Sequence, residues 1–85
     1  MKKRAEAVDY VWSGHLRRQM ARRRITDEQV LDALSSGVLP RVSETTGSLC
    51  YRHTYSNGRT LKVWVKASTH TPRMITSAAW EGEDD

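Results

Sequence analysis

The sequence predicts an α+β fold: two N-terminal helices packed on an antiparallel sheet of about four strands. Three observations carry this expectation. Ser13 and Thr26 stand where helix caps belong, and apolar residues follow each at helical spacing. Residues 61–66 alternate apolar and polar, the period of a strand with one covered face. Asn57-Gly58 then separates two such runs, as a hairpin turn would.

Residues 1–11 form a mixed lead-in, in which Val8, Val11 and Trp12 either make a short strand or pack under the first helix. Ser13 caps that helix, with Gly14 and His15 in its first turn. Leu16 and Met20 lie four apart and share its inward face, while Arg17, Arg18, Arg22 and Arg23 fall mostly on other faces. The helix is expected to stop near Arg24. Thr26-Asp27-Glu28-Gln29 has the capping-box pattern, flanked by Ile25 and Val30 at the staple positions. Val30, Leu31 and Leu34 form the apolar stripe of the second helix, and Gly37 is expected to end it in the left-handed region.

Pro40 marks the entry to extended structure. Arg41 to Ser43 reads as an edge strand, Thr46-Gly47 as a turn, and Leu49 to Tyr55 as the second strand. Asn57-Gly58 is expected to place both of its residues at positive φ. Leu61 to Lys66 is the third strand, and Met74 to Trp80 the fourth, after a Thr/His/Pro turn. Leu61, Val63 and Val65 should face the helices. Lys62, Trp64 and Lys66 should face the other way, beside Arg52, giving an uncovered basic face with an exposed tryptophan.

With 85 residues the chain is read as a single domain over 1–85, with a lead-in at 1–11 and an acidic tail at 81–85. Charged residues make up 28% and hydrophobic residues 38%, which fits a small folded domain rather than a disordered one. The net charge of +4 is unevenly placed. His15, Arg17, Arg18, Arg22, Arg23 and Arg24 form one basic block, and Arg52, Lys62 and Lys66 a second around Trp64. A basic helix beside a basic, aromatic strand face points to a polyanion, and RNA fits best. The tail either solubilises the chain or folds back on a cationic groove. A single cysteine, Cys50, precludes an internal disulfide, and a cytoplasmic location is expected. No apolar run approaches the ~20 residues of a bilayer span. Met1-Lys2-Lys3-Arg4 resembles the start of a signal peptide, but Glu6 and Asp9 interrupt the apolar run that such a peptide needs next.

Ser13-x-His15, then Met20, Arg23 and Ile25, then Val30, Leu34 and Gly37, resemble a bacterial family of unknown function. Its members begin S-x-H-A-x-x-R-M-x-x-R-x-I. Its closing strands are matched here by Gly58-x-x-Leu61-x-Val63-x-Val65 and Ile75-Thr76, so the resemblance covers about residues 13–80. That family is distantly similar to the RelE/ParE and BrnT toxins, which share a helix-helix-sheet layout. The resemblance implies a RelE-like fold and a toxin-like ribonuclease acting on RNA, typically ribosome-bound mRNA, and neutralised by a small antitoxin. Two positions depart from the pattern. Gln19 stands where the family has arginine, with Arg18 and Arg22 flanking it, and Leu16 replaces an alanine.

Metal-independent cleavage of RNA by its 2′-hydroxyl needs a base, an acid and a cation for the developing phosphorane charge. His15 is the candidate acid or base, since imidazole is the usual proton carrier near neutral pH. Arg23 and Lys62 are the candidate phosphate stabilisers, and Tyr51 or Tyr55 would orient the phosphate. Arg18, Arg22, Arg52, Trp64 and Lys66 are the candidate nucleic-acid-binding residues. Each has a structural rival. His15 would bond nearby backbone, Arg23 would pair with Asp27 or Glu28, and Trp64 would pack on the N-terminal segment or a partner. Cys50-x-x-His53 has ligand-like spacing, but on a strand the two residues face opposite ways, so no metal or other cofactor is expected. No nucleophile elbow and no Gly-rich phosphate loop occurs. The alternative to a ribonuclease is a non-catalytic nucleic-acid- or protein-binding module of phage or mobile-element origin that blocks a host factor. Gln19 and the absence of a clear acid-base pair favour it, and exposed edge strands would suit a protein partner.

Overall fold

The computed structural model describes residues 6–67 and 72–82. A single 3-10 turn, Ala7–Asp9, leads into β1 (Tyr10–Trp12). There follow α1 (Gly14–Arg23), α2 (Asp27–Leu34), β2 (Arg41–Val42), β3 (Leu49–Thr54), β4 (Thr60–Val65) and β5 (Arg73–Trp80). The fold is α+β, but the sheet has five strands and is mixed, in the order β1-β5-β4-β3-β2. The expectation of four antiparallel strands is corrected by β1, which pairs parallel to β5 with Tyr10 opposite Arg73 and Trp12 opposite Ile75. Three residues are too few to show an alternation in sequence, and a parallel pair needs a long crossover. Here everything from α1 to β4 supplies it.

Local chemistry accounts for both helices. The Ser13 hydroxyl accepts the Leu16 N–H at 3.0 Å, as its cap position requires. The same residue extends the β1–β5 pairing, because its N–H donates to the Ile75 carbonyl at 3.3 Å. α1 ends at Arg24, which takes the left-handed conformation (φ 55°, ψ 49°). Glycine would hold that conformation more cheaply. The turn sends Ile25 into the core, 5% exposed. α2 carries both halves of the capping box: Gln29 N–H to Thr26 Oγ1, and Thr26 N–H to Gln29 Oε1. Its end differs from the expected one. The helix stops at Leu34 with Ser35 as cap, and Gly37, at φ +81°, lies beyond it. Ser36 intervenes because its hydroxyl has partners outside the helix, donating to Arg52 O and accepting from Val38 N–H.

The β3–β4 hairpin also differs in detail. Gly58 has φ +88°, but Arg24 is the one non-glycine residue at positive φ among the described residues, so Asn57 is not. Tyr55 N–H donates to Arg59 O, and Gly58 N–H to Tyr55 O. That pattern is a three-residue loop in which glycine follows an ordinary turn as a bulge. Asn57 contributes a side-chain oxygen to Arg59 N–H at 2.9 Å. β2 stops at Val42, because Ser43 opens the next turn. The Thr/His/Pro turn expected before β5 lies mostly at 68–71, outside the described residues.

Both helices lie on one face of the sheet. Leu16, Met20, Ile25, Val30 and Ala33 pack there against Leu61, Val63, Val65, Ile75, Ala78 and Trp80, all buried. Leu61, Val63 and Val65 therefore face inward, as their alternation predicts. Among the described residues no helix covers the opposite face, and none is long and apolar enough to cross a membrane.

Candidate nucleic-acid interface

The uncovered face is built by strand register. Arg41 pairs with Cys50, Cys50 with Trp64, and Trp64 with Ser77, making one row across four strands. Arg52, Lys62 and Ala79 make the next. Paired residues project to the same side of a sheet, so Arg41, Arg52 and Lys62 stand around Trp64. The Lys62 ammonium sits 5.5 Å from the centre of the Trp64 ring. Lys66 is exposed just past the end of β4. Trp64 is half-buried rather than fully exposed as expected, because serine and threonine side chains of the 43–48 turn and of β5 wall its ring.

Two further features shape this face. Arg52 forms an ion pair with Glu81, just past β5, so the first acid of the tail lies on the basic surface. The tail's last residues, 83–85, fall outside the described residues. Cys50 is half-buried, and burial pushes its thiol pKa up against the opposing pull of Lys62, Arg52 and Arg41. It is a poor nucleophile at neutral pH. Cys50 and His53 do face opposite ways, since their partners are Trp64 and Leu61.

The other candidates lie in the helical layer. His15 is exposed on α1, its Nε2 2.9 Å from the Gln19 amide nitrogen. Gln19 is the one buried polar residue among those described, 7% exposed. Its Oε1 accepts the Ser77 hydroxyl at 2.8 Å and the Ala78 N–H at 3.0 Å. Those two donors settle which end of the amide is oxygen, so the NH₂ points at His15. Neutral His15 is thereby held with Nε2 as acceptor and its proton on Nδ1. Gln19 is a residue that sequence reasoning treated as a lost charge. Its placement between Leu16 and Met20, at the margin of the apolar stripe, was the available signal.

Arg23 reaches inward rather than out. Its guanidinium donates to Ala78 O at 2.6 Å, and its own carbonyl accepts the Trp80 indole N–H at 3.1 Å. The pairing with Asp27 is made instead by Arg17, at 2.7 Å, which also lies 4.3 Å over the Trp12 ring. Arg18 and Arg22 are exposed on α1. Tyr55 donates its hydroxyl to Asp32 at 3.0 Å and meets His53 edge to face, and Tyr51 packs against the core from the helical side. The sheet thus separates Lys62 from His15 and Arg23, whereas Arg41, Arg52, Lys62 and Trp64 share one surface.

Residues 12–78 match the family described as Domain of unknown function (DUF4258). No curated protein and no solved structure matches the chain.

Proposed function

The chain belongs to the DUF4258 family, and we propose that it is a single-stranded RNA-binding module working through the open face of its sheet. The observation that carries this reading is the grouping of Trp64 with Lys62, Arg41 and Arg52 on a face that no helix covers. An aromatic ring among cations is what a single strand needs, with a base stacking on the ring and phosphates meeting the charges. Lys66 and the exposed Arg18 and Arg22 extend the positive field without forming part of the same surface. The resemblance of its sequence pattern to a family distantly similar to the RelE/ParE and BrnT toxins supports RNA as the partner and the cytoplasm as the setting.

A toxin-like ribonuclease is the second reading, favoured by the Gln19 amide that fixes the His15 tautomer. His15 would then hydrogen-bond the scissile phosphate through its Nδ1–H, with Arg18 or Arg22 as the phosphate cation. Lys62 would bind RNA rather than stabilise the reacting phosphate.

One experiment separates the two. Labelled single-stranded RNA and translating ribosomes are incubated with the protein in EDTA, beside His15→Ala and a Lys62→Ala/Trp64→Ala double variant. The binding reading expects intact RNA, binding by wild type and His15→Ala alike, and weakened binding with a flatter salt dependence in the double variant. Cleavage by wild type but not by His15→Ala, with growth arrest that tracks it, would establish the ribonuclease instead. Unchanged binding and salt slope in the double variant would sink the sheet-face proposal. No RNA binding at all would point to a protein partner at the exposed sheet edges.

A further inference from the structure

We infer that Glu81 occludes the RNA-binding face: its carboxylate holds the Arg52 guanidinium in the place of a phosphate, and RNA must displace it to use that cation. The inference rests on the RNA-binding reading and gives that face a competitor carried by the chain itself. Strand register places the contact on the face. Leu61 pairs with Trp80, whose side chain is buried on the helical side. The next residue, Glu81, continues the pairing by donating its N–H to Thr60 O at 2.8 Å. Alternation then turns the Glu81 side chain to the open side, in one row with Thr60 and Thr54, whose hydroxyls lie 2.7 Å apart. Gly82, at φ +86°, ends the extended run immediately after it.

Arg52 lies not on the neighbouring strand but on β3, with β4 between it and the end of β5. Two strand spacings are about 9–10 Å, so this ion pair has to cross over β4. Both side chains therefore lie along the sheet rather than projecting from it, and they are only 32% and 46% exposed. The carboxylate sits above the middle strand, beside the row of Arg52, Lys62 and Ala79. Its field extends to the row of Trp64, since Glu81 acts on the Cys50 thiol against Lys62, Arg52 and Arg41. A carboxylate and a phosphodiester present the same pair of anionic oxygens to a guanidinium fork. A strand of RNA laid across Trp64 and Lys62 therefore meets Glu81 where a phosphate would take Arg52. An exposed ion pair holds its partners weakly, by a factor of up to about five, so RNA can displace the carboxylate and the occlusion is reversible.

The test compares wild type, Glu81→Gln, Arg52→Ala and the double variant, each checked for folding by circular dichroism, in titrations of labelled oligo(rU) over a range of salt. Glu81→Gln is expected to bind about fivefold tighter at low salt. The slope of log K against log salt should steepen by about 0.7, the contribution of one added single-strand phosphate contact. In the Arg52→Ala background the same substitution should gain nothing, because the coupling lies in the pair. Cys50 reports on the carboxylate without RNA. Iodoacetamide should alkylate it faster in Glu81→Gln than in wild type at mildly alkaline pH, since an anion that raises its pKa has gone. Oligo(rU) bound with equal affinity and slope by wild type and Glu81→Gln would overturn the occlusion and leave the RNA-binding reading standing. A gain that persists in Arg52→Ala would overturn it too, as an effect of net charge alone. An unchanged Cys50 rate would place the carboxylate off the face, with the same consequence. No oligo(rU) binding by wild type or by Glu81→Gln would overturn both readings.

Discussion

Gln19 is the most informative residue to change, because one buried side chain ties helix to sheet and positions His15. Gln19→Leu keeps the volume and removes the acceptor. The Ala78 N–H, on a residue 0% exposed, then loses its 3.0 Å bond with no water to replace it. An unsatisfied buried donor costs about 1–3 kcal/mol. The Ser77 hydroxyl also loses a 2.8 Å bond, but it is half-buried and lines an open cavity, so rehydration recovers most of that. A net loss of about 2 kcal/mol is expected. For a domain of this size each kcal/mol moves Tm by roughly 4–8 °C, so the variant should melt about 8–16 °C lower. Thermal unfolding by circular dichroism measures this, and amide exchange at Ala78 localises it. Gln19→Arg restores the residue of the resembled pattern, yet a guanidinium has donors only, so it should fail to rescue. His15→Ala serves as the control, since its side chain is exposed, and should stay within about 0.5 kcal/mol of wild type. A Gln19→Leu protein melting within about 2 °C of wild type would refute the bridging role and the histidine tautomer derived from it.

Other sites obey equally local chemistry. Thr26→Ala should cost about 0.5–2 kcal/mol in urea unfolding, because it removes the side-chain acceptor of Gln29 N–H, one half of the α2 capping box. Gly58→Ala should cost about 1–2 kcal/mol for forcing a side chain to φ +88°, whereas Asn57→Asp, which keeps the acceptor for Arg59 N–H, should be near neutral. Equal losses at 57 and 58 would restore the turn with two positive φ values. Cys50 alkylation by iodoacetamide should be slower than that of a model thiol at pH 8 and keep rising above the ordinary thiol range, since burial raises its pKa. Because the folded-state value is raised, the linked stability is fully present below the unfolded thiol pKa and is lost as pH rises through the folded one. A rate matching the model thiol would remove that claim.

Several features were legible in the residues themselves. The caps at Ser13 and Thr26, the inward set Leu61, Val63 and Val65, and the outward pair Lys62 and Trp64 all arise from patterns spanning a few residues. Such patterns survive folding because they depend on backbone periodicity and on groups near in sequence. The features that the sequence left open or placed wrongly depend on neighbours far apart in the chain. The strand status of Tyr10–Trp12 exists only because β5 leaves an edge for it to join, some 63 residues away in both of the first two register pairs. Arg17, not Arg23, reaches Asp27, because the turn between the helices decides which arginine arrives. Glu81 meets Arg52 because β5 ends beside β4 and β3.

The sequence by itself determined two helices, the four strands that pair antiparallel, and a basic face centred on Trp64, since charge and alternation are properties of the chain read locally. Only the tertiary structure decided that Lys62 and His15 lie on opposite sides of the sheet, that Gln19 is a buried bridge, and that a bulge in β5 opens a hydroxyl-walled cavity beside Trp64. The physical reason is the same in each case. Which side chains meet is set by register and layering between distant segments, and a bulge changes that register without leaving a period in the sequence.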